Sequence, residues 1–355
     1  MSKLIPIIIP SYEPDERLEL LLKSLLESEL GPVVMVDDGS GDEYKKYFDA
    51  AKSLGITVLV HEKNKGKGRA LKTAFEYCLK NYPDMIGCVT ADSDGQHTPN
   101  DIKKCMDALS KNENSLIMGC RNFTGDDIPW KSSFGNNVTK KVCKYLCGVS
   151  VSDTQTGLRA IPKKFMEELL AVKGERFEFE TNMLLESKDS YEIIEVPIET
   201  IYESVENHQT HFRPIKDSIK IYRIFGVKFF KFVFSSLSSS GLDLLLFYLF
   251  CRMLQDDSKI YVAFATVLAR IISGTYNYLI NYKLVFKSKE KWSKAFSRYV
   301  LLAVIQMSLS AACTTLVVNL AHWPRMFGKI VVDLTLFLIS FVVQREFVFK
   351  IKRKK

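Results

Sequence analysis

Several familiar signatures are missing from this chain of 355 residues. Its eight cysteines (Cys78, Cys88, Cys105, Cys120, Cys143, Cys147, Cys251 and Cys313) form no Cys-x-x-Cys, and no histidine pattern accompanies them, so a thiolate zinc site is excluded. Most of them fall in segments expected to be buried in a cytosolic domain, where thiols stay reduced. No basic leader precedes the first apolar run, residues 4–9, which is therefore expected to be a strand and not a signal peptide. The net charge is +8, yet neither a basic groove nor an aromatic platform motif goes with it, which argues against nucleic acid as a partner.

The first half of the chain is an alternation. Apolar runs at 4–9, 32–36, 56–60, 85–90 and 115–119 read as strands. Helices are expected at 17–27, where Leu18, Leu21, Leu22, Leu25 and Leu26 fall at helical spacing, at 42–54, from the loop 64–68 to about 80, and at 101–111. Strands separated by helices of this length predict an α/β fold, a mostly parallel sheet with helices on both faces. Such a sheet binds ligands in the crevice outside the carboxyl ends of its strands.

The run Ala91-Asp92-Ser93-Asp94-Gly95-Gln96-His97 sits at one of those ends, followed by Thr98-Pro99-Asn100-Asp101, a helix start with proline at a permitted early position. Two carboxylates one residue apart are hard oxygen ligands suited to Mg²⁺ or Mn²⁺, cations that keep positions open for substrate oxygens. Five further segments follow the same order along the chain: Pro10-Ser11-Tyr12, Val36-Asp37-Asp38-Gly39-Ser40, Asn64-x-Gly66-Lys67-Gly68, Gly119-Cys120-Arg121 and Ser152-Asp153-Thr154-Gln155-Thr156-Gly157-Leu158-Arg159.

Together these segments resemble family 2 glycosyltransferases of GT-A fold, in the dolichyl-phosphate mannosyltransferase-like branch, over roughly residues 3–225. The resemblance implies transfer of a sugar from a nucleotide-sugar donor to a polyprenyl phosphate acceptor. It places Asp94 and Gln96 on the metal, with Asp92 bridging to nucleotide or metal. Pro10 would belong to the nucleotide-sugar site, Tyr12 would lie against the base, and Glu13 and Asp38 would accept hydrogen bonds from base or ribose. Lys67 would approach the diphosphate, its neighbours Gly66 and Gly68 removing side-chain bulk. Asp153 is the tempting catalytic base. A phosphate monoester with a second pKa near 6 is, however, already mostly an anionic nucleophile at neutral pH. Asp153 and Gln155 are therefore read as sugar-hydroxyl ligands, with a loop brace as the structural alternative. Arg121, Lys131 and Arg213 suit the acceptor phosphate, although relatives often carry arginine where this chain has Lys131.

The second half reads as a membrane segment. Four apolar runs, about 232–251, 260–282, 299–320 and 326–343, approach the roughly 20 residues a helix needs to cross a bilayer. They predict an all-α four-helix transmembrane domain over 232–350, joined to a catalytic domain at 1–212 by a basic amphipathic connector at 213–231. Residues 277–286 align with 340–349, sharing Val285/Val348 and Phe286/Phe349, as an internal repeat of helix pairs would. With the four spans, this resembles the GtrA-like membrane domain over about 228–350. Lysine and arginine concentrate in 283–298 and in the tail, which by the positive-inside rule puts both, and the catalytic domain, in the cytosol at the cell membrane. Asp243, Arg270 and Asp333 lie inside the runs, where ionisable groups pair or serve function.

These readings predict a metal-assisted inverting transferase bound to the lipid bilayer, with a UDP-linked donor favoured and self-association left open. The competing class is a transport-type protein for lipid-linked sugars whose soluble half only binds nucleotide. Retention of Asp92, Asp94, Gln96, Arg121 and Asp153 favours the enzyme. A processive polysaccharide synthase is disfavoured because no Gln-x-x-Arg-Trp occurs.

Overall fold

The computed structural model describes residues 3–121, 130–188, 190–199, 214–254, 261–320 and 323–349. The chain divides between Ile224 and Phe225 into two compact units. The first is built on strands β1 (Ile7–Ser11), β2 (Val33–Asp37), β3 (Thr57–Val60), β4 (Gly87–Thr90), β5 (Ser115–Arg121), β6 (Arg159–Pro162) and β7 (Glu192–Ile198), in the order β3-β2-β1-β4-β6-β5-β7. Between them run α1 (Glu16–Glu27), α2 (Lys45–Ser53), α3 (Lys67–Asn81), α4 (Pro99–Lys111), α5 (Trp130–Cys147), α6 (Lys163–Leu169) and α7 (Glu178–Ser187).

β1, β2 and β4 are buried at every position, as unbroken apolar runs require when both sheet faces are covered. Ile7, Ile9, Val33 and Met35 share one core with Leu18, Leu22, Ile102 and Leu109 of α1 and α4. Ile8 and Val34 point the other way and are equally buried, with α3 packed on β1 and β2. Local signals set the helix starts. The Asp15 side chain accepts from the Arg17 backbone N–H, and Thr98 accepts from that of Asp101, with Pro99 at the first position.

The sheet departs from simple alternation at β6. This strand runs antiparallel to both β4 and β5, so the mostly parallel sheet is mixed on one side. Its four residues carry no periodicity that would have announced them. The expected helix at 42–54 also opens with a tight 3₁₀ turn at Asp42–Tyr44 before α2 begins. Strand order reverses between β1 and β4, the switch point where crevices form in open α/β sheets.

The second unit is helical: α8 (Pro214–Met253), α9 (Tyr261–Ile280), α10 (Trp292–Leu320) and α11 (Arg325–Val343). Among the described residues, three stretches are long and apolar enough to cross a membrane: Gly226–Met253, Trp292–Leu320 and Arg325–Val348. The fourth expected span, 260–282, is helical as α9, but Arg270 and the polar run Thr275-Tyr276-Asn277 dilute its apolarity. Both α9 and α11 end in π-helical turns, Asn281–Val285 and Gln344–Val348. These are the two aligned segments of the repeat, and equivalent residues meet. The Asn281 side-chain amide donates to Gln344 Oε1 at 3.2 Å, and Phe286 stacks on Phe349 with centroids 5.1 Å apart.

Candidate active site

The carboxyl ends of β1, β2 and β4 bring the first set of expected residues to the switch point. Pro10 itself is buried within β1, paired in register with Val36, so it shapes the strand end. Tyr12 and Glu13 follow in the turn. Glu13 adopts a left-handed φ of 50°, a strained conformation for a residue with a side chain, and its backbone N–H donates to Ser40 Oγ at 2.9 Å. A hydrogen bond with the Glu13 carboxylate, aided by burial, pushes the Tyr12 phenol up to about 12.

Asp38 is turned inward, away from any ligand. Its Oδ1 receives the Lys65 N–H at 2.9 Å and lies 2.7 Å from His61 Nδ1, while Oδ2 receives the Gly66 N–H at 2.7 Å. These bonds clamp the loop that opens α3. The glycines of that loop also serve another neighbour than expected. A side chain on Gly66 would strike the Glu175 carbonyl, and one on Gly68 would strike Phe179, so their bareness lets the start of α7 pack against the start of α3. Glu175 fastens the same junction through Arg69 and Lys72.

Lys67, at the first position of α3, reaches the end of β4. Its Nζ lies 2.6 Å from Asp92 Oδ1 and 3.1 Å from Glu180 Oε1. Burial disfavours the charged ammonium, but the two carboxylates outweigh it and raise the Lys67 pKa above its usual range. Burial likewise works against the Asp92 carboxylate, and Lys67 with His97 overcomes it, holding Asp92 below the usual carboxylate range. Asp94 goes the other way, raised first by burial and then by the charge of Asp92. Its Oδ1 accepts the Gln96 backbone N–H at 3.1 Å. His97 is buried with neither ring nitrogen hydrogen-bonded, its Nε2 3.6 Å from Asp92 Oδ2.

Two residues that motif reading left without a role hold this cluster. Glu180 is the second partner of Lys67 and comes from α7, far away in sequence. Gly157 packs its bare Cα against the Asp92 carboxylate, where any side chain would collide with both oxygens, and its carbonyl accepts from Thr90 Oγ1 at 2.8 Å. Gly157→Ala is expected to push Asp92 off Lys67 and cut nucleotide affinity at least about tenfold. Titration calorimetry with a nucleoside diphosphate measures this, and unchanged affinity would show that the contact does not orient Asp92.

A second cluster lies where β5 ends and the lead into β6 begins. Asp153 is fully buried, and its carboxylate receives Arg121 Nε at 2.7 Å, Arg121 Nη2 at 3.2 Å and the Gln155 N–H at 3.0 Å. These bonds make Asp153 the buried anchor of the Arg121 guanidinium. Gln155 is exposed. Arg159, 1 % exposed, is the buried cation between the clusters. Burial lowers its pKa, while Glu180, Asp153 and Asp92 pull it back up. Its Nη1 donates to the Glu180 carbonyl at 2.7 Å. The side chain of Lys131, on α5, and the whole of Arg213 lie outside the described residues.

Whether a divalent cation suits this place can be judged from the donors. Asp92 and Asp94 supply hard oxygens whose mutual repulsion a cation would relieve, and His97 presents a buried imidazole beside Asp92 with neither ring nitrogen hydrogen-bonded. Among the described residues, no three His, Cys, Asp or Glu side chains gather into a closed metal cage. A pair of carboxylates completed by phosphate oxygens is the arrangement Mg²⁺ commonly adopts. The residues fit the ion.

Residues 7–170 match the profile of Glycosyl transferase family 2, and residues 231–349 match that of the GtrA/DPMS transmembrane domain. An uncharacterized protein of Methanocaldococcus jannaschii is 30 % identical over 201 residues, covering 55 % of this chain and 81 % of the relative. The UDP-N-acetylglucosamine–dolichyl-phosphate N-acetylglucosaminyltransferase of Methanococcus voltae is 28 % identical over 220 residues, covering 57 % and 87 %. The polyprenol monophosphomannose synthase of Mycolicibacterium smegmatis is 25 % identical over 202 residues, covering 54 % and 75 %.

Proposed function

Since the chain belongs to glycosyl transferase family 2 and carries the GtrA/DPMS transmembrane domain, it is a membrane glycosyltransferase, and we propose that it moves a sugar from a nucleotide-sugar to a polyprenyl phosphate. The observation that carries this reading is the Lys67–Asp92–Glu180 cluster, which sets a cation at the start of α3 beside the paired carboxylates at the end of β4. The relatives named for dolichyl-phosphate and polyprenol substrates supply the acceptor class.

In this reading the diphosphate of the donor lies over the first turn of α3. The Lys67 ammonium meets its charge there. Tyr12 and Glu13 border the base. Asp92, Asp94 and Gln96 would hold Mg²⁺ or Mn²⁺, which when bound neutralises charge on the departing diphosphate. Arg121, held by Asp153, orients the lipid phosphate as a bidentate donor, with Lys131 and Arg213 as further cationic candidates. A phosphate oxygen attacks the anomeric carbon as the bond from that carbon to the diphosphate breaks. A single displacement of this kind inverts the configuration. The lysines and arginine of residues 283–298 support a cytosolic active site under the positive-inside rule.

Membranes bearing the protein, supplied with Mg²⁺, polyprenyl phosphate and labelled UDP- and GDP-sugars, are expected to yield an inverted lipid-linked sugar, with a UDP-sugar the best donor. Failure of every donor to label the lipid would overturn the reading. A cysteine at Ser288, on a cysteine-free background, is expected to resist an impermeant reagent applied outside intact cells. Labelling from outside would reverse the orientation.

A further inference from the structure

Of the three neighbours described around the Asp92 carboxylate, one is free to move aside. Gly157 lies against both oxygens with its backbone, which the bond from Thr90 Oγ1 to its carbonyl holds in place. The buried ring of His97 puts Nε2 3.6 Å from Oδ2. Lys67 Nζ lies 2.6 Å from Oδ1, at the end of a flexible four-carbon stem. The stem is all that can turn. Lys67 is the first residue of α3, and the Gly66 N–H just before it is held by Asp38 at 2.7 Å.

A divalent ion and this ammonium call for the same oxygen. Mg²⁺ takes oxygens at about 2.1 Å and tolerates little distortion, so an ammonium 2.6 Å from Oδ1 stands in its way. The ammonium also does only part of what the ion would do. Asp94 accepts the Gln96 N–H, and among the described residues no cation lies within ion-pair distance of it. Lys67 therefore serves one aspartate, whereas a divalent ion would serve both. A plain structural ion pair needs one carboxylate, yet Lys67 has two. Glu180 Oε1 is already 3.1 Å from Nζ, on a helix whose backbone Arg159 fixes through the Glu180 carbonyl. With the ammonium on Glu180 and the ion on Asp92 and Asp94, each of the three carboxylates has a cation.

We propose that Lys67 guards Asp92 against the divalent ion and yields it by shifting onto Glu180, from where it meets the donor diphosphate. The ion and the diphosphate then favour the same displaced lysine, so each tightens the other by one common factor. The proposal rests on the reading above for the ion, and its test uses neither nucleotide nor lipid acceptor, so the two can fail separately. The full-length protein in phosphatidylcholine nanodiscs is titrated with Mn²⁺ alone, and free Mn²⁺ is followed by electron paramagnetic resonance. Lys67→Gln should bind Mn²⁺ at least about tenfold more tightly than the wild type, within the usual range of such couplings. Lys65→Gln removes the same charge from an exposed side chain two residues away and should stay within about threefold of the wild type. Lys67→Arg keeps a cation on Asp92 and should bind no more tightly than the wild type. A melting temperature that rises with Mn²⁺ in Lys67→Gln checks that this variant is folded. Equal affinity of Lys67→Gln and wild type would overturn the proposal, as would tenfold tighter binding by Lys67→Arg. An equal gain in Lys65→Gln would reduce the effect to net charge and overturn displacement. Wild-type sugar transfer indifferent to EDTA would instead overturn the reading of the ion itself.

Discussion

Replacing Asp94 by asparagine is expected to abolish sugar transfer while leaving the protein folded and membrane-inserted. The substitution removes one charge at a loop that follows β4 and breaks no part of the buried core. Asp94 Oδ1 accepts only a backbone N–H two residues on, a bond that an asparagine side-chain oxygen can also make. What is lost is half of the carboxylate pair that would hold the cation. Electrostatic stabilisation of a leaving diphosphate is worth about 3–4 kcal/mol, which corresponds to a fall in kcat on the order of several hundredfold. The wild type should lose activity in EDTA and recover with Mg²⁺ or Mn²⁺, and the variant should recover little. An Asp94→Asn enzyme that retains full, EDTA-insensitive activity would remove the metal from the mechanism.

The second large effect concerns Arg121 and Asp153, which should behave as one unit. Arg121→Ala removes the donor for the lipid phosphate, and Asp153→Asn releases the guanidinium from its buried anchor. Each single change is expected to slow transfer about tenfold to a hundredfold, less than Asp94→Asn. The double variant should be no slower than Arg121→Ala, because side chains that act through one another are not additive. Since the acceptor phosphate supplies its own negative charge, the rate of Asp153→Asn should still rise through about pH 6 as that phosphate ionises. If Asp153→Asn is dead at every pH and Arg121→Ala is not, Asp153 acts as base or sugar ligand in its own right.

The sheet and its site were unequally legible in the sequence. β1, β2 and β4 announced themselves as apolar runs ending in Ser11, Asp37 and Thr90, and the paired aspartates followed from their position after β4. β6 did not, since four residues of an antiparallel insertion have neither length nor period. Lys67 was visible between its glycines, but the reason for those glycines was not, because Glu175 and Phe179 lie about a hundred residues further on. The same distance hid Glu180, whose helix has no motif of its own. The partners of Asp38 were hidden for a related cause: an acidic turn looks open in sequence, and only the return of residues 61–66 brings His61 and the Lys65 and Gly66 N–H groups to its oxygens. Strand ends can be read from local runs, whereas contacts made by a distant backbone cannot.

The meeting of Asn281 with Gln344, and of Phe286 with Phe349, bears on what half of the helical unit could do. Contacts between a residue and its own equivalent are what a local twofold axis produces, so at this seam the two repeats meet as the protomers of an isologous dimer do, within a single chain. Severed from its twin, one hairpin would leave an amide and an aromatic ring turned toward lipid with nothing opposite. The surface best shaped to cover them is a second copy of that hairpin. The unit is thus arranged like a dimer joined through its own connecting loop, and a single hairpin is expected to pair with a second copy of itself.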